Sequence, residues 1–203
     1  EGQTEPVLEV TIEKGSLLVD REFVANYSIS TYNIGYVLNG GTIVGVNPAT
    51  YNVETETFTL INPTKPDYVF LGWTYDGQAT PIDTVTIEKG SIAKNLEFTA
   101  NFESVFTIGE DGYINGISQK ALTLSVINVP QEIDGEMVMG VNGSVLNAIT
   151  NVTEFTTTHS YMKVVDGNLY SIDGSMLYRY APAKEGTSFT LPEGCTSVSA
   201  YAF

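Results

Sequence analysis

The chain carries one histidine, His159, and one cysteine, Cys195. A histidine can act as a general base only if a reacting group lies within its reach. There is no Gly-x-Ser-x-Gly nucleophile turn for it to serve, and Ser160 beside it makes no triad, because triad partners converge in space. A single cysteine excludes an internal disulfide, and one of each residue excludes the usual Cys/His zinc constellation. No helix start or cationic cluster stands near Cys195 to activate a thiolate. The residue is expected to be buried and inert. Among the carboxylates, Asp166-Gly167-Asn168 and Asp173-Gly174-Ser175 come nearest to a cation loop. Neither continues into a calcium-binding pattern, and both read as turns. No carboxylate pair can be placed for acid–base work. The expectation is therefore no catalytic residue, no cofactor and no metal.

Binding is the other chemistry open to such a chain. Trp73 could stack on a sugar, but its place at a strand end predicts that it fills a core. Tyr161, Tyr170, Tyr178 and Tyr180 fall in or near one segment, and exposed tyrosines give large contact area at little entropic cost. These four are the candidate binding residues, although on strands the same side chains also serve cross-strand packing.

Charge narrows the partners. With 24 acidic against 9 basic residues, the net charge is −15. Nucleic-acid affinity rests on Lys and Arg meeting phosphate, so a nucleic-acid partner is excluded. An anionic lipid surface is disfavoured for the same reason. At 42% apolar residues the chain can bury real cores, and no apolar run approaches the roughly 18 residues of a membrane span. A soluble monomer is expected.

The elements that would position these residues come from a repeat. Thr11-Ile12-Glu13-Lys14-Gly15-Ser16 recurs as Thr86-Ile87-Glu88-Lys89-Gly90-Ser91, an offset of 75 residues. Around it Gly2, Gln3, Pro6 and Val10 match Gly77, Gln78, Pro81 and Val85. Glu22, Phe23, Ala25 and Asn26 match Glu97, Phe98, Ala100 and Asn101. An offset held through loops and strands marks a duplicated unit. Residues 1–28 are expected to be the closing part of one unit, cut short at its start, with strands at 7–12 and 22–27. Residues 29–103 are expected to be a complete copy. In it, a strand at 32–38 turns at Asn39-Gly40 into a second strand at 42–46. Short strands follow at 58–60 and 85–87, with a central strand at 68–73 and a closing strand at 97–102. Residues 91–95 could hold one helical turn. Alternation places Tyr36, Phe70, Trp73 and Phe98 in one core.

Beyond Glu103 the pattern changes. Ile127-Asn128-Val129-Pro130-Gln131-Glu132-Ile133 is similar to Phe189-Thr190-Leu191-Pro192-Glu193-Gly194-Cys195: an alternating strand, a proline stop, a tight loop and an inward residue. Units of this kind recur at roughly 20–29 residues in leucine-rich repeats. Residues 168–182 read as a hairpin turning at Asp173-Gly174.

The order Tyr-x-Leu-Asn-Gly-Gly, Asn-Pro, Phe-x-Leu, Pro-Thr-x-x-x-Tyr-x-Phe-x-Gly-Trp, Thr-Ile-x-Lys-Gly-Ser, Phe-x-Ala-Asn-Phe resembles the Listeria–Bacteroides repeat, also called the internalin B-repeat. Residues 189–203, with Leu-Pro-Glu-Gly and the closing Ala-Phe, resemble the BspA-type leucine-rich repeat, as does the 168–182 hairpin. Residues 104–160 fit less well and are taken as degenerate first coils of a solenoid that is cut at its end. The resemblance implies a mainly β chain with α+β elements: a β-grasp-like module, then a short leucine-rich-repeat solenoid with a β-hairpin over 104–203. It further implies a secreted or cell-surface bacterial protein without enzymatic activity. The repeats would act as stalk or spacer, and the leucine-rich region would bind a protein or glycan on a host or neighbouring cell. The alternative is a carbohydrate-binding or accessory region of a larger secreted enzyme.

Overall fold

The structure, a computed structural model, describes residues 5–16, 20–186 and 188–203. The chain is mainly β, with one short α-helix and one 3-10 turn at Ala121–Thr123 among the described residues. The first unit holds β1 (Tyr32–Val37), β2 (Thr50–Tyr51), β3 (Phe58–Thr59), β4 (Tyr68–Tyr75), β5 (Thr86–Ile87) and β6 (Leu96–Ser104). Its main sheet runs β2-β1-β6-β4. β1 and β6 are parallel, Ile34 facing Leu96 and Tyr36 facing Phe98. β4 runs antiparallel to β6 and ends the sheet, so the 68–73 strand is not central as expected; β1 and β6 are. β3 and β5 form a separate antiparallel pair.

The alternation of apolar residues works as expected here. Trp73 and Phe98 are fully buried, and Tyr36 and Phe70 pack against the same cluster with Ile34, Leu96 and Ala100. Trp73 meets Tyr36, Phe70 and Phe98 with tilted or edge-on rings at 5.6–6.1 Å, the geometry that ring quadrupoles favour. Its indole N–H donates to Asn62 Oδ1 at 2.9 Å, so no polar atom of Trp73 is stranded.

Four expected elements are absent here. Residues 42–46 form no strand: Thr42 bridges Thr64 instead, and Val44 and Val46 are exposed. The β1 edge that a return strand needs is held by β2, with Ile34 N–H donating to Ala49 O. Asn47 supplies the missing pairing through its side chain, accepting from Ile61 N at 2.7 Å and donating to Ile61 O at 3.0 Å. Residues 91–95 make no helical turn. The expected strands at 7–12 and 22–27 do not form either, and Val7, Leu8, Val10, Ile12, Phe23 and Tyr27 are exposed. Their equivalents in β5 and β6 are strands because β3, β1 and β4 pair with them, whereas a two-strand segment alone is marginal in water. The Gly2 and Gln3 matches lie outside the described residues.

The second unit contains β7 (Phe106–Ile108), β8 (Tyr113–Ile117), β9 (Val126–Val129), β10 (Glu132–Ile133), β11 (Glu136–Met137), β12 (Gly140–Val141), α1 (Gly143–Ala148), β13 (Glu154–Thr157), β14 (Met162–Val165), β15 (Asn168–Ser171), β16 (Met176–Arg179) and β17 (Ser197–Val198). Three parallel pairs order it. Gly140 pairs with Tyr113, Glu154 with Val126 and Ser197 with Met176, at spacings of 27, 28 and 21 residues. β14, β15 and β16 form an antiparallel meander with its turn at Asp173-Gly174, as the sequence predicts. Residues 189–191 form no strand, and Leu191 is partly exposed; the parallel partner of β16 lies further on, at Ser197–Val198.

The two units are joined without a free linker. β4 shifts register between Phe70 and Gly72. Gly72 has φ +133, and a Cβ there would lie 2.6 Å from the backbone of Ile82, so only glycine fits this bulge. Before the bulge Val69 packs into the second unit's core; beyond it Trp73 packs into the first. Lys120 of the second unit caps the bulge, donating to Phe70 O and Leu71 O at 3.2 Å each and pairing with Asp83 at 2.5 Å. Val105 N–H donates to Asp67 O, Asn128 donates to the Asp67 carboxylate, and Tyr68 hydrogen-bonds Asp134.

Candidate functional site

The four tyrosines do not act together. Tyr170 is 1% exposed on β15, and its hydroxyl faces no partner among the described residues, so it presents nothing to a ligand and the expected binding role is corrected. Strand parity explains this: Tyr170 points into the small cluster with Leu177 and Ala202. Tyr180 is half-buried, its ring 4.8 Å from Phe189 and 5.7 Å from Phe203. Tyr178 and Tyr161 do share a site. Both line a groove of about 290 Å³, where β8, β12, the start of α1 and the β14–β17 sheet meet.

The groove is built from side chains that sequence reasoning did not select. Tyr113 comes from β8, Met139 from the position just before β12, Met162 from β14 and Met176 from β16. The parallel pairing of Tyr113 with Gly140 brings the Tyr113 ring against the glycine, where a Cβ would meet the ring at 2.7 Å. Met162 and Leu169 form the buried floor, whereas Tyr113, Met139 and Tyr161 stand exposed at the rim, Tyr161 at 63%. Tyrosine is the only ionisable residue type in the lining among the described residues. The legible signal was Glu136-Met137-Val138-Met139: alternation buries Val138 and turns both methionines outward.

The residues that could have carried chemistry are used structurally. His159 is buried; Nε2 faces Val138 O at 2.8 Å and Nδ1 accepts from Tyr161 N–H at 3.1 Å. A ring that accepts a backbone N–H at Nδ1 carries its proton on Nε2, so both nitrogens are committed. Through this pair His159 holds the backbone of Tyr161 at the groove rim. Cys195 is half-buried against the cluster of Tyr170, Leu177 and Ala202, its thiol 3.5 Å from Ser197 O. Asp173 accepts from Ser171 Oγ, Ser175 N–H and Ser175 Oγ, which hold its carboxyl down at about 2. Asp166 pairs with Lys184 at 2.6 Å, and its carbonyl accepts from the buried Asn168. No group of three His, Cys, Asp or Glu side chains that could hold a metal occurs among the described residues.

A second concavity, about 480 Å³, lies beside the turn at Asp76-Gly77-Gln78 and is lined by Tyr75, Gln78, Asn95, Glu97 and Thr99. It is wide and polar. Lys94 reaches the Asp76 carboxylate at 2.5 Å beside it.

No family model, curated protein or solved structure matches the chain. Among the described residues, no helix is long and apolar enough to cross a membrane.

Proposed function

We propose that this chain is part of a secreted or cell-surface bacterial interaction protein and catalyses no reaction. In this reading residues 29–103 are a Listeria–Bacteroides repeat with a β-grasp-like fold, acting as a spacer. Residues 104–203 are a BspA-type leucine-rich solenoid that contacts a protein on a host or neighbouring cell. The quoted motifs support the first assignment, together with the parallel β1–β6 pair at the centre of a mixed sheet. Three parallel strand pairs at 27-, 28- and 21-residue spacing support the second, since successive coils of a solenoid stack in parallel.

The observation that carries the reading is the joint. Lys120, Asp67 and Val69 tie the spacer to the second unit through hydrogen bonds, an ion pair and shared core. Domains that move freely share small polar interfaces; a spacer that must hold a binding surface away from a wall needs the opposite. The net charge of −15 keeps such a chain soluble and monomeric. Beads coated with the chain should adhere to epithelial monolayers more than beads coated with albumin, and soluble chain should compete. Equal adhesion of the two bead types would reject the reading.

A carbohydrate-binding role is favoured by one observation only. The cleft at Asp76 offers an aromatic ring, two amides and two carboxylates, the mixture that sugar hydroxyls require. Calorimetric titration with xylan and mannan tests it; binding lost in Gln78→Ala would move the function to this cleft.

A further inference from the structure

We infer that the groove between β8, β12 and β16 is a docking site for a single apolar side chain, leucine or methionine in type, carried on a basic polypeptide segment. This names the partner class for the surface proposed above and rests on that reading.

The lining decides the chemistry. Of 24 carboxylates in the chain, none lines this groove among the described residues. A sugar ring needs fixed polar partners for its hydroxyls, and among the described residues three phenols and Ser199 are the only hydroxyl side chains in the lining. Tyrosine and methionine with charge excluded is instead the composition of protein-interface cores. Methionine adds adaptability, since an unbranched thioether repacks around different apolar shapes. The volume of about 290 Å³ has room for one leucine- or methionine-sized side chain but not for the several anchors of a whole helix face.

Charge complementarity decides what flanks that side chain. The groove is neutral, but the chain as a whole carries a net charge of −15. An approaching segment is therefore steered if it is cationic and repelled if it is anionic. The neutral groove supplies the anchor, and the surrounding field supplies the approach.

The four methionines provide an internal control. Met139, Met162 and Met176 line the groove, whereas Met137 is exposed and outside it. The full chain, labelled with carbon-13 at its methionine methyls, is titrated with a Lys-Lys-Leu-Lys-Lys peptide. The expected result is saturable movement of the Met139, Met162 and Met176 signals with Met137 still. A Ser-for-Leu peptide and a Glu-for-Lys peptide should leave all four in place. Tyr161→Ala, whose side chain is mostly solvent-exposed, should weaken the peptide about tenfold, as expected on losing one aromatic anchor. Met139→Gln provides a second variant should Tyr161→Ala lower the melting temperature. Raising salt should weaken binding in the wild-type chain.

The inference is overturned if the leucine peptide moves none of the three signals, if the serine or glutamate peptide moves them equally, or if Met137 moves with them. It is also overturned if cellotriose moves the groove signals at lower concentration than the peptide. Adhesive beads with unmoved methyls would reject the groove and leave the adhesion reading standing. Non-adhesive beads with shifted methyls would do the reverse.

Discussion

Trp73 and Tyr36 show how single residues set the stability of the first unit. Trp73 is fully buried, touches three other rings and donates its only polar hydrogen to Asn62. Trp73→Ala is expected to cost about 3–5 kcal/mol, read from denaturant unfolding; a loss below about 1 kcal/mol would contradict its place in the core. Tyr36 donates its hydroxyl to Pro48 O at 2.8 Å, and burial pushes its pKa from 10.0 to about 12. The folded state therefore keeps this proton after the unfolded chain has released it. Its contribution is complete below pH 10 and is lost as pH rises towards about 12. Stability should fall across that window, and Tyr36→Phe should flatten the fall. An equally steep decline in the variant would assign it to other groups. Arg179, only 3% exposed, donates to Tyr201 O and Ile149 O, and burial lowers its pKa. It ties the residue after α1 to the end of the described chain.

At the scale of elements, the two copies of one hexamer separate local from tertiary causes. Ser16 N–H and Oγ both bond Glu13 O, at 3.1 and 2.7 Å; Ser91 repeats this on Glu88 O at 3.1 and 2.6 Å. The turn forms in both places. The strands form in one, because only Thr86–Ile87 and Leu96–Ser104 meet partner strands. Hydrogen exchange should show amides near 7–12 and 22–27 exchanging close to the free-chain rate while those of β6 are slowest. Protection of residues 22–27 equal to β6 would mean that they pair after all. The Lys120 clasp is the second element-scale feature. Lys120→Met leaves Phe70 O, Leu71 O and Asp83 without it. Calorimetry should then resolve two transitions where the parent chain shows one; a single transition in the variant would place the coupling in the shared Val69 packing instead.

For the whole molecule, excess negative charge raises the question of divalent cations. The two Asp-Gly sites proved to be turns, with Asp173 satisfied by serines and Asp166 by Lys184. Neither presents the six or more oxygens that calcium takes. Adding a chelator should leave the melting temperature of the full chain unchanged, and a drop of several degrees would reveal a site formed in some other way.

Much of this chain is decided within a few residues of sequence. Alternation placed Trp73 and Phe98 inward, Asp173-Gly174 turned the β15–β16 hairpin, and Glu-Lys-Gly-Ser turned the chain twice. These are local effects of side-chain parity and turn chemistry, and they need no distant partner. What the local signals did not decide was which segments meet. Asn39-Gly40 predicts a hairpin, yet β2 already held the edge of β1, so residues 42–46 stayed unpaired. Tyr161, Tyr170, Tyr178 and Tyr180 look alike in sequence, and only the packing of the β14–β17 sheet buried Tyr170 while leaving Tyr161 at the rim. The groove joins Tyr113, Met139, Tyr161 and Met176, residues brought together by a parallel pairing 27 residues apart and a meander turning back beside it. Strand pairing over such distances depends on competition among edges across the whole chain, and only the tertiary structure resolves that competition.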